Sequence, residues 1–280
     1  MNKKCIIPWI VGAGFIFSLK GRRSKNLKKL DGWLYAHRGF HSEPDAPENS
    51  LEAFRLAAEN GYGAELDVHL LADGNLAVLH DSWLKRMTGK GGVVESLTEK
   101  ELSGYHLGNS RQTIPTLRQV LEVIDGRVPL IIELKPYKDN YRSLCERVFQ
   151  DLDRYDGVYC VESFYPQVLM WLRRNRPYVI RGQLSMNYFR DHQGLSFLRA
   201  AAASSMMANV LTRPDFIAYK YQDRRFVSNR ICLKLWKLQG AFWTLHTPGE
   251  LRTAQEEGSW PIFENFDPET GNRFDGAVDT

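Results

Sequence analysis

The stretch "LYAHRGFHSEPDAPENSLEAFRLAAENGYGAELDV", residues 34–68, reads as a strand, a helix and a second strand. Its apolar start predicts a short strand that runs directly into a His-Arg-Gly sequence. Asn49 or Ser50 caps the helix that follows and Gly61 ends it, since these residue types are typical of helix ends. A strand, a helix and a strand in succession indicate a parallel βαβ unit.

The same alternation continues along the chain and predicts eight parallel strands. Apolar residues at helical spacing predict further helices at Thr116–Ile124 and Pro166–Asn175. A chain of 280 residues suits a closed (β/α)8 TIM barrel, an α/β fold of about 250 residues, better than an open sheet. The predicted strands are Trp33–Ala36, Gly63–Val68, Leu130–Leu134, Val158–Ser163, Ile180–Leu184, Phe216–Tyr219, Ala241–His246 and Pro261–Phe263.

One additional strand interrupts this alternation. Leu76–His80 follows Gly63–Val68 after an Asp-Gly turn, which predicts a hairpin. Residues 82–115 then show few strand features and one predicted helix, at Thr98–Leu102. We therefore predict a small insertion over one barrel mouth, within a single barrel domain of residues 31–280.

Residues 1–30 form a hydrophobic and basic segment before the barrel. They carry eight basic residues and no acidic one, and Cys5–Leu19 is a run of 15 uncharged residues. This run is short for a transmembrane helix, which needs about 20 apolar residues. We expect an uncleaved membrane anchor that projects from the barrel with few contacts. Because the heavier basic flank follows the run, the barrel would then face the cytoplasm.

Two alternatives to the anchor stay open. A cleaved signal peptide would make the protein secreted, and a plain cytosolic extension would leave it in the cytoplasm. The four cysteines show no CxxC spacing and are predicted to be free thiols in a reducing compartment, as small buried hydrophobic residues. Residues 31–280 carry 29 basic and 33 acidic residues, which argues against a nucleic-acid partner because such a partner requires a basic surface.

Three acidic residues lie inside predicted barrel strands. Glu65 and Asp67 share one face of their strand, and Glu133 lies in another strand. Buried parallel strands are usually apolar throughout, so a divalent cation bound by the carboxylates would supply the missing charge. All three acids lie near carboxyl ends of strands, where barrel active sites are found. Alternatively, the acids are solvated at a sheet edge, or Glu133 only pairs with Lys135. His69 is either a further ligand or a solvated strand end.

Two histidines are predicted to lie at the same mouth. His37 follows the first strand and His80 ends the additional strand, and imidazoles transfer protons near neutral pH. Arg38 offers a planar guanidinium group and Lys135 an ammonium group for phosphate oxygens. Two proton-transfer groups, a cation and two phosphate-binding groups predict metal-assisted cleavage of a phosphodiester.

These features occur together in a known family. The motifs "HRG", "PENS", "ELD", "DG", "HD" and "ELK", in this order, resemble the glycerophosphodiester phosphodiesterase family across roughly residues 33–267. The resemblance implies a TIM barrel with one Mg²⁺ or Ca²⁺ ion and a small insertion after the "HD" strand. It implies that Glu65, Asp67 and Glu133 are metal ligands and that His37 and His80 are the acid/base pair. It also implies that Arg38 and Lys135 contact the phosphate and that Trp243 is a wall of the alcohol pocket.

Departures from the family pattern concern the pocket rim. His246 stands in "FWTLHT" where the family often carries Asn, and "PIFENFDP" matches the family's last strand only loosely, so the alcohol that leaves is open. The oligomeric state is open as well. No role is predicted for the remaining histidines His41, His106 and His192.

The leading hypothesis is hydrolysis of small-molecule glycerophosphodiesters to glycerol 3-phosphate and an alcohol. The alternative is cleavage of a membrane lipid diester, as in lysophospholipase D-type or sphingomyelinase D-like relatives, and an anchored barrel would favour it. A non-catalytic binder on the same scaffold is disfavoured because every catalytic motif is complete.

Overall fold

The computed structural model describes residues 12–190, 194 and 196–274. Eight parallel strands close into a barrel, because β1 (Tyr35–Ala36) pairs with β2 (Gly63–Leu70) on one side and with β9 (Ser259–Phe263) on the other. The predicted (β/α)8 barrel is confirmed, and each predicted strand end lies within two residues of the observed one. The strands are β1 (Tyr35–Ala36), β2 (Gly63–Leu70), β3 (Leu76–Val78), β4 (Leu130–Leu134), β5 (Tyr159–Ser163), β6 (Arg181–Ser185), β7 (Phe216–Lys220), β8 (Gln239–Leu245) and β9 (Ser259–Phe263).

Helices alternate with the barrel strands and pack against them. The first helix, α1, is capped by Ser50, whose hydroxyl accepts from the N–H of Ala53 at 3.1 Å. Asn49 is therefore not the cap. Besides the helical residues 12–18, the helices within the described ranges are α1 (Leu51–Glu59), α2 (Lys85–Thr88), α3 (Glu99–Leu102), α4 (Leu117–Ile124), α5 (Tyr141–Leu152), α6 (Pro166–Asn175), α7 (Phe197–Ser205), α8 (Asn209–Thr212), α9 (Val227–Arg230) and α10 (Pro248–Glu256). There are also 3₁₀ segments Lys25–Lys29, Val94–Ser96 and Tyr221–Asp223 and a π-helical segment Ile231–Leu235.

The insertion after the β2–β3 hairpin has a small apolar core of its own. β3 runs antiparallel to β2, as the Asp-Gly turn predicts. The predicted helix at Thr98–Leu102 is present as α3, with Thr98 as its cap. This core holds the insertion over the mouth, and its buried apolar residues are Leu71, Ala77, Leu79, Leu84, Met87, Val94, Leu97, Leu102, Leu107 and Ile114.

Residues 15–30 pack against the amino-terminal end of the barrel. The expectation that residues 1–30 project with few contacts is therefore wrong for this part of the chain. Leu19 and Leu30 are fully buried in the core, and the hydroxyl of Tyr35 donates to the carbonyl of Leu30 at 2.8 Å. The segment covers apolar side chains and unpaired backbone groups that the strand ends would otherwise expose.

The amino-terminal part of the predicted anchor, residues 1–11, lies outside the described residues. Residues 12–18 are helical. In the ranges that the structure describes, no helix combines the length and the apolar character needed to cross a bilayer. Cys145, Cys160 and Cys232 are free and buried, as predicted, whereas Cys5 falls outside the described ranges.

Arg22 fastens this segment to the barrel. Its guanidinium donates to both oxygens of the buried Asp215 carboxylate, at 2.7 and 2.9 Å, and to the carbonyl of Val179 at 2.8 Å. These partners lie just before β6 and β7, at the end of the barrel opposite the strand carboxyl ends.

Arg22→Ala should therefore destabilise the whole fold. We expect the free energy of unfolding to fall by about 2–3 kcal/mol, because the buried Asp215 carboxylate loses its charged hydrogen bonds. The partial exposure of Arg22 keeps this cost below that of breaking a fully buried ion pair. Urea unfolding of the full chain measures the change. Lys25→Ala is the control, since Lys25 is an exposed basic residue of the same segment. Equal stability of the two variants would contradict this role of Arg22.

Candidate active site

Three carboxylates converge at the carboxyl ends of β2 and β4. Glu65 and Asp67 lie on one face of β2, and Glu133 lies beside Asp67 in the sheet register. One oxygen from each residue lies within 4.8 Å of the others, and all three side chains are buried. The predicted convergence is therefore present. The alternative of acids solvated at a sheet edge is wrong, because closure of the barrel leaves neither β2 nor β4 at an edge.

Burial and mutual repulsion disfavour full ionisation of this cluster. Burial, followed by the Asp67 and Glu133 carboxylates, raises the pKa of Glu65 well above its usual range. Burial also raises the pKa of Glu133 to about 7, against the attraction of Lys135. For Asp67 burial acts in the same direction, but Lys135, His80, Arg38 and the hydrogen bond from Asn49 together outweigh it and hold the pKa of Asp67 below its usual range. The cluster thus has the excess of negative charge that a bound cation would relieve.

Two basic side chains border the carboxylates. The Nη1 atom of Arg38 donates to Glu48 at 2.9 Å, and its Nε lies 3.7 Å from Asp67. Lys135 places its Nζ 3.2 Å from both Asp67 and Glu133. The pairing of Glu133 with Lys135 is therefore real, but it is part of a larger charged cluster. Both basic residues line the cavity described below.

His37 lies at the end of β1 and is oriented by a glutamate. Its Nδ1 hydrogen-bonds to Glu264, and its Nε2 lies 3.8 Å from Glu65. Although burial opposes ionisation, His37 and His41 together hold the pKa of Glu264 below its usual range, so the carboxylate accepts and Nδ1 of His37 donates. His41 and His246 lie 3.8 and 3.6 Å from the same carboxylate. Glu264 is thus the centre of a three-histidine cluster.

His80 is oriented by the insertion. Its Nδ1 lies 2.7 Å from Asp81. Arg86, on α2, binds Asp81 and also makes two hydrogen bonds to Glu48, at 2.7 and 2.9 Å. Burial, followed by the positive charge of Lys135, lowers the pKa of His80 to about 4. The imidazole is therefore neutral at pH 7 in this form of the protein.

His69 fits neither of its two predicted roles. The side chain is buried, its Nδ1 lies 2.7 Å from Glu95, and its Nε2 lies 3.3 Å from the carbonyl oxygen of His80. Glu95 belongs to the insertion, which covers this end of β2. Both ring nitrogens face partners away from the three-carboxylate cluster, so His69 is a structural link between the barrel and the insertion.

Some site residues were missed by sequence reasoning although a signal was present. Glu264 directly follows β9, the same position that drew attention to His37 after β1. Glu162 faces Glu133 across the β4–β5 pair, and burial together with Glu133 raises its pKa well above the usual range. Asn49 donates to Asp67 at 2.9 Å, which explains why it does not cap α1. For the two glutamates the available signal was an acidic residue at a strand end, and for Asn49 it was an amide just before α1.

A cavity of about 860 Å³ opens above these groups. The charged residues from β1, β2 and β4 form one side of it, and His246 also borders it. Trp243 also lines the cavity, with its ring 5.8 Å from that of Phe164 in an edge-on contact. Of the predicted site residues, Asp67 alone does not line the cavity, but it contacts Lys135 at its border. The apolar side is formed by Phe164, Tyr165, Leu184, Met186, Tyr188 and Trp243.

The model of the glycerophosphoryl diester phosphodiesterase family matches residues 37–263. The chain belongs to this family. It is therefore an enzyme, a phosphodiesterase, and the family resemblance of the sequence motifs is confirmed.

Two curated relatives illustrate the similarity. A glycerophosphodiester phosphodiesterase of Bacillus altitudinis is 32% identical over 188 residues, which cover 63% of this chain and 75% of that protein. Glycerophosphodiester phosphodiesterase 1 of Bos taurus is 30% identical over 169 residues, covering 57% of this chain. The match spans 50% of the bovine protein's length.

Solved structures share the barrel. A glycerophosphodiester phosphodiesterase from Parabacteroides distasonis superposes with a TM-score of 0.67 at 25% identity, covering 85% of this chain and 94% of that one. A phosphodiesterase of Oleispira antarctica, solved in complex with its product sn-glycerol-3-phosphate, gives a TM-score of 0.68 at 23% identity. The similarity covers 83% of this chain and 92% of that one. At this identity the second similarity concerns the fold.

Proposed function

We propose that this phosphodiesterase hydrolyses glycerophosphodiesters to glycerol 3-phosphate and an alcohol. The observation that carries the proposal is the convergence, at one barrel mouth, of a carboxylate cluster, two oriented histidines and two basic side chains. The name of the Bacillus altitudinis relative and the product bound to the Oleispira antarctica enzyme point to the same substrate class.

The carboxylate cluster fits one divalent cation, Mg²⁺ or Ca²⁺, held by Glu65, Asp67 and Glu133. Both ions prefer carboxylate oxygens, and the spacing of these three groups allows an oxygen of each to reach a common point. The raised pKa of Glu65 and of Glu133 is the electrostatic signature of a site that lacks positive charge. When bound, the cation supplies a Lewis acid for a phosphoryl oxygen.

The two basic side chains bind the remaining phosphate charge. Arg38 presents a planar guanidinium, and Glu48 holds its Nη1 atom in place. Lys135 adds a compact positive charge between Asp67 and Glu133. Both groups are buried against carboxylates before substrate arrives, so they need little reorganisation to stabilise charge that develops on phosphorus-bound oxygens.

The two histidines move protons. Glu264 occupies Nδ1 of His37 and Asp81 occupies Nδ1 of His80, which leaves Nε2 of each ring for proton transfer. One ring accepts the proton of the attacking oxygen, from water or from the substrate's own glycerol hydroxyl, and the other donates a proton to the leaving alcohol. Attack by the hydroxyl gives a cyclic phosphodiester, and water then opens that ring to glycerol 3-phosphate. The anionic phosphate stabilises a positively charged imidazole and so raises the pKa of the ring that must act as the acid.

The apolar side of the cavity receives the alcohol. Trp243 and Phe164 line the cavity and contact each other edge-on, which makes them an aromatic wall. A choline or ethanolamine group fits against such a wall, since a cation is attracted to an aromatic face. The same apolar surface is the observation that favours the second candidate, a lysophospholipid whose chain extends along the apolar side.

Product analysis tests both candidates. Glycerophosphocholine, glycerophosphoethanolamine and lysophosphatidylcholine are each incubated with the full chain, with and without a chelator. We expect glycerol 3-phosphate and the free alcohol from the first two, with loss of turnover in chelator and recovery on addition of Mg²⁺ or Ca²⁺. A higher kcat/KM for lysophosphatidylcholine would favour the second candidate. Chelator-resistant turnover would contradict the metal site.

A further inference from the structure

The amino-terminal end of the barrel carries an apolar and basic surface, opposite the active-site mouth. We define this basal surface by residues 15–23, 207–213 and 230–238, of which the last two precede β7 and β8. Together the three segments contain seven basic residues and no acidic one. Their exposed large apolar side chains are Ile16, Phe17, Met207, Leu211 and Leu235.

Direct contacts join the three segments into one surface. Arg213 lies over the ring of Phe17, 5.5 Å from its centroid, and donates to the carbonyl of Lys20 at 3.0 Å. The indole N–H of Trp236 donates to the carbonyl of Ile16 at 2.8 Å, and the ammonium group of Lys20 lies 5.2 Å from the Trp236 ring. The apolar and basic groups are therefore neighbours on one face.

Two features indicate what this face binds. Exposed basic side chains, among them Lys20, Arg23, Lys234 and Lys237, lie in the same segments as the exposed apolar groups and complement a negatively charged partner. In addition, residues 12–19, the described end of the uncharged run Cys5–Leu19, lead into this same face. Apolar side chains beside basic ones, on a surface that continues into an uncharged run, match the interface of a bilayer, where headgroup phosphates lie above acyl chains.

We propose that the basal surface docks on a bilayer that contains anionic lipids, with the active-site mouth turned toward the aqueous phase. The orientation follows from the barrel, because the parallel strands all run from the basal surface toward the mouth. Combined with the proposed function, on which this consequence rests, the orientation favours water-soluble diesters over diesters embedded in the same bilayer.

The mouth offers a competing face. Trp83, Phe197 and Leu198 are exposed on the mouth side of the barrel, on the insertion and at the start of α7. A bilayer bound there would give the active site direct access to lipid. The basal surface is favoured because the uncharged run joins it, and the two orientations predict opposite results for labels placed at the two ends.

Labels at the two ends measure the orientation. Leu235→Cys and Phe197→Cys are each introduced into the full chain carrying Cys5→Ser, and each is labelled with an environment-sensitive fluorophore. With vesicles of phosphatidylcholine and phosphatidylglycerol, the label at position 235 should shift to shorter wavelength and be quenched by a lipid-borne nitroxide, whereas the label at 197 should not change. A response at 197 alone, or at neither position, would overturn the proposal. The readout is independent of activity.

Charge removal gives a second measurement. Lys234→Gln should weaken binding to phosphatidylglycerol-containing vesicles about fivefold, the equivalent of one basic residue near an anionic surface. The matched control is Lys138→Gln, an exposed lysine on the loop after β4 at the mouth, which should leave binding unchanged. The proposal that the basal surface docks on an anionic bilayer would be overturned if Lys234→Gln bound as tightly as the unaltered protein. It would also be overturned if the unaltered protein bound vesicles of phosphatidylcholine alone as tightly as vesicles that contain phosphatidylglycerol.

Discussion

Glu65→Gln should lower kcat/KM by at least about 10³-fold and at the same time stabilise the metal-free protein. The loss of activity follows from the loss of one carboxylate ligand, because a metal ion contributes several kcal/mol to transition-state stabilisation. The gain in stability follows from burial and from the neighbouring Asp67 and Glu133 carboxylates, which disfavour an ionised Glu65 in the metal-free fold although it ionises freely in the unfolded chain. A neutral glutamine carries neither cost and should raise the free energy of unfolding by about 1 kcal/mol, as is common for functional residues.

Three measurements separate these effects. Titration calorimetry with Mg²⁺ and Ca²⁺ should show much weaker binding by Glu65→Gln, and urea unfolding in chelator should show its higher stability. Kinetics on glycerophosphocholine report the activity. Glu122→Gln, at an exposed position on α4, is the matched control and should behave as the unaltered protein in all three. A Glu65→Gln variant that still binds metal normally would remove Glu65 from the ligand set.

His37→Ala and His80→Ala should each lower kcat by about 10²- to 10⁴-fold, the usual contribution of a positioned proton-transfer group. KM should change less, because Arg38 and Lys135 still bind the phosphate. The fold should tolerate both changes. His80 is about one-third exposed, and Glu264 keeps two other histidines nearby when His37 is removed.

The control for this pair is His106→Ala. His106 is exposed within the insertion, so its removal should leave kcat unchanged. Circular dichroism and urea unfolding establish that each variant is folded before its kinetics are compared. If a folded His37 or His80 variant retained normal kcat, that histidine would be a packing residue and the proposed proton transfer would lose one of its two groups.

Local rules of chain geometry were sufficient to predict most of the barrel and the centre of the active site. Alternation of side chains along β2 placed Glu65 and Asp67 on one face, and the position of Glu133 near the end of β4 placed it at the same mouth. His37 and His80 followed from the same strand-end rule. These inferences depend on residues close together in sequence, where strand period and turn chemistry decide the geometry.

What orients these groups was decided by tertiary structure alone. The partner of His37 is Glu264, which is 227 residues away in sequence and reaches it only because β9 closes the barrel against β1. Arg86 reaches Glu48 only when the insertion folds over the mouth. Residues 15–30 have the composition of a detached segment, yet Leu19 is buried in the core and Arg22 pairs with Asp215. Composition and the period of apolar residues describe each segment by itself. These contacts exist because barrel closure brings distant segments together. Burial then makes the pairing of their polar groups energetically necessary.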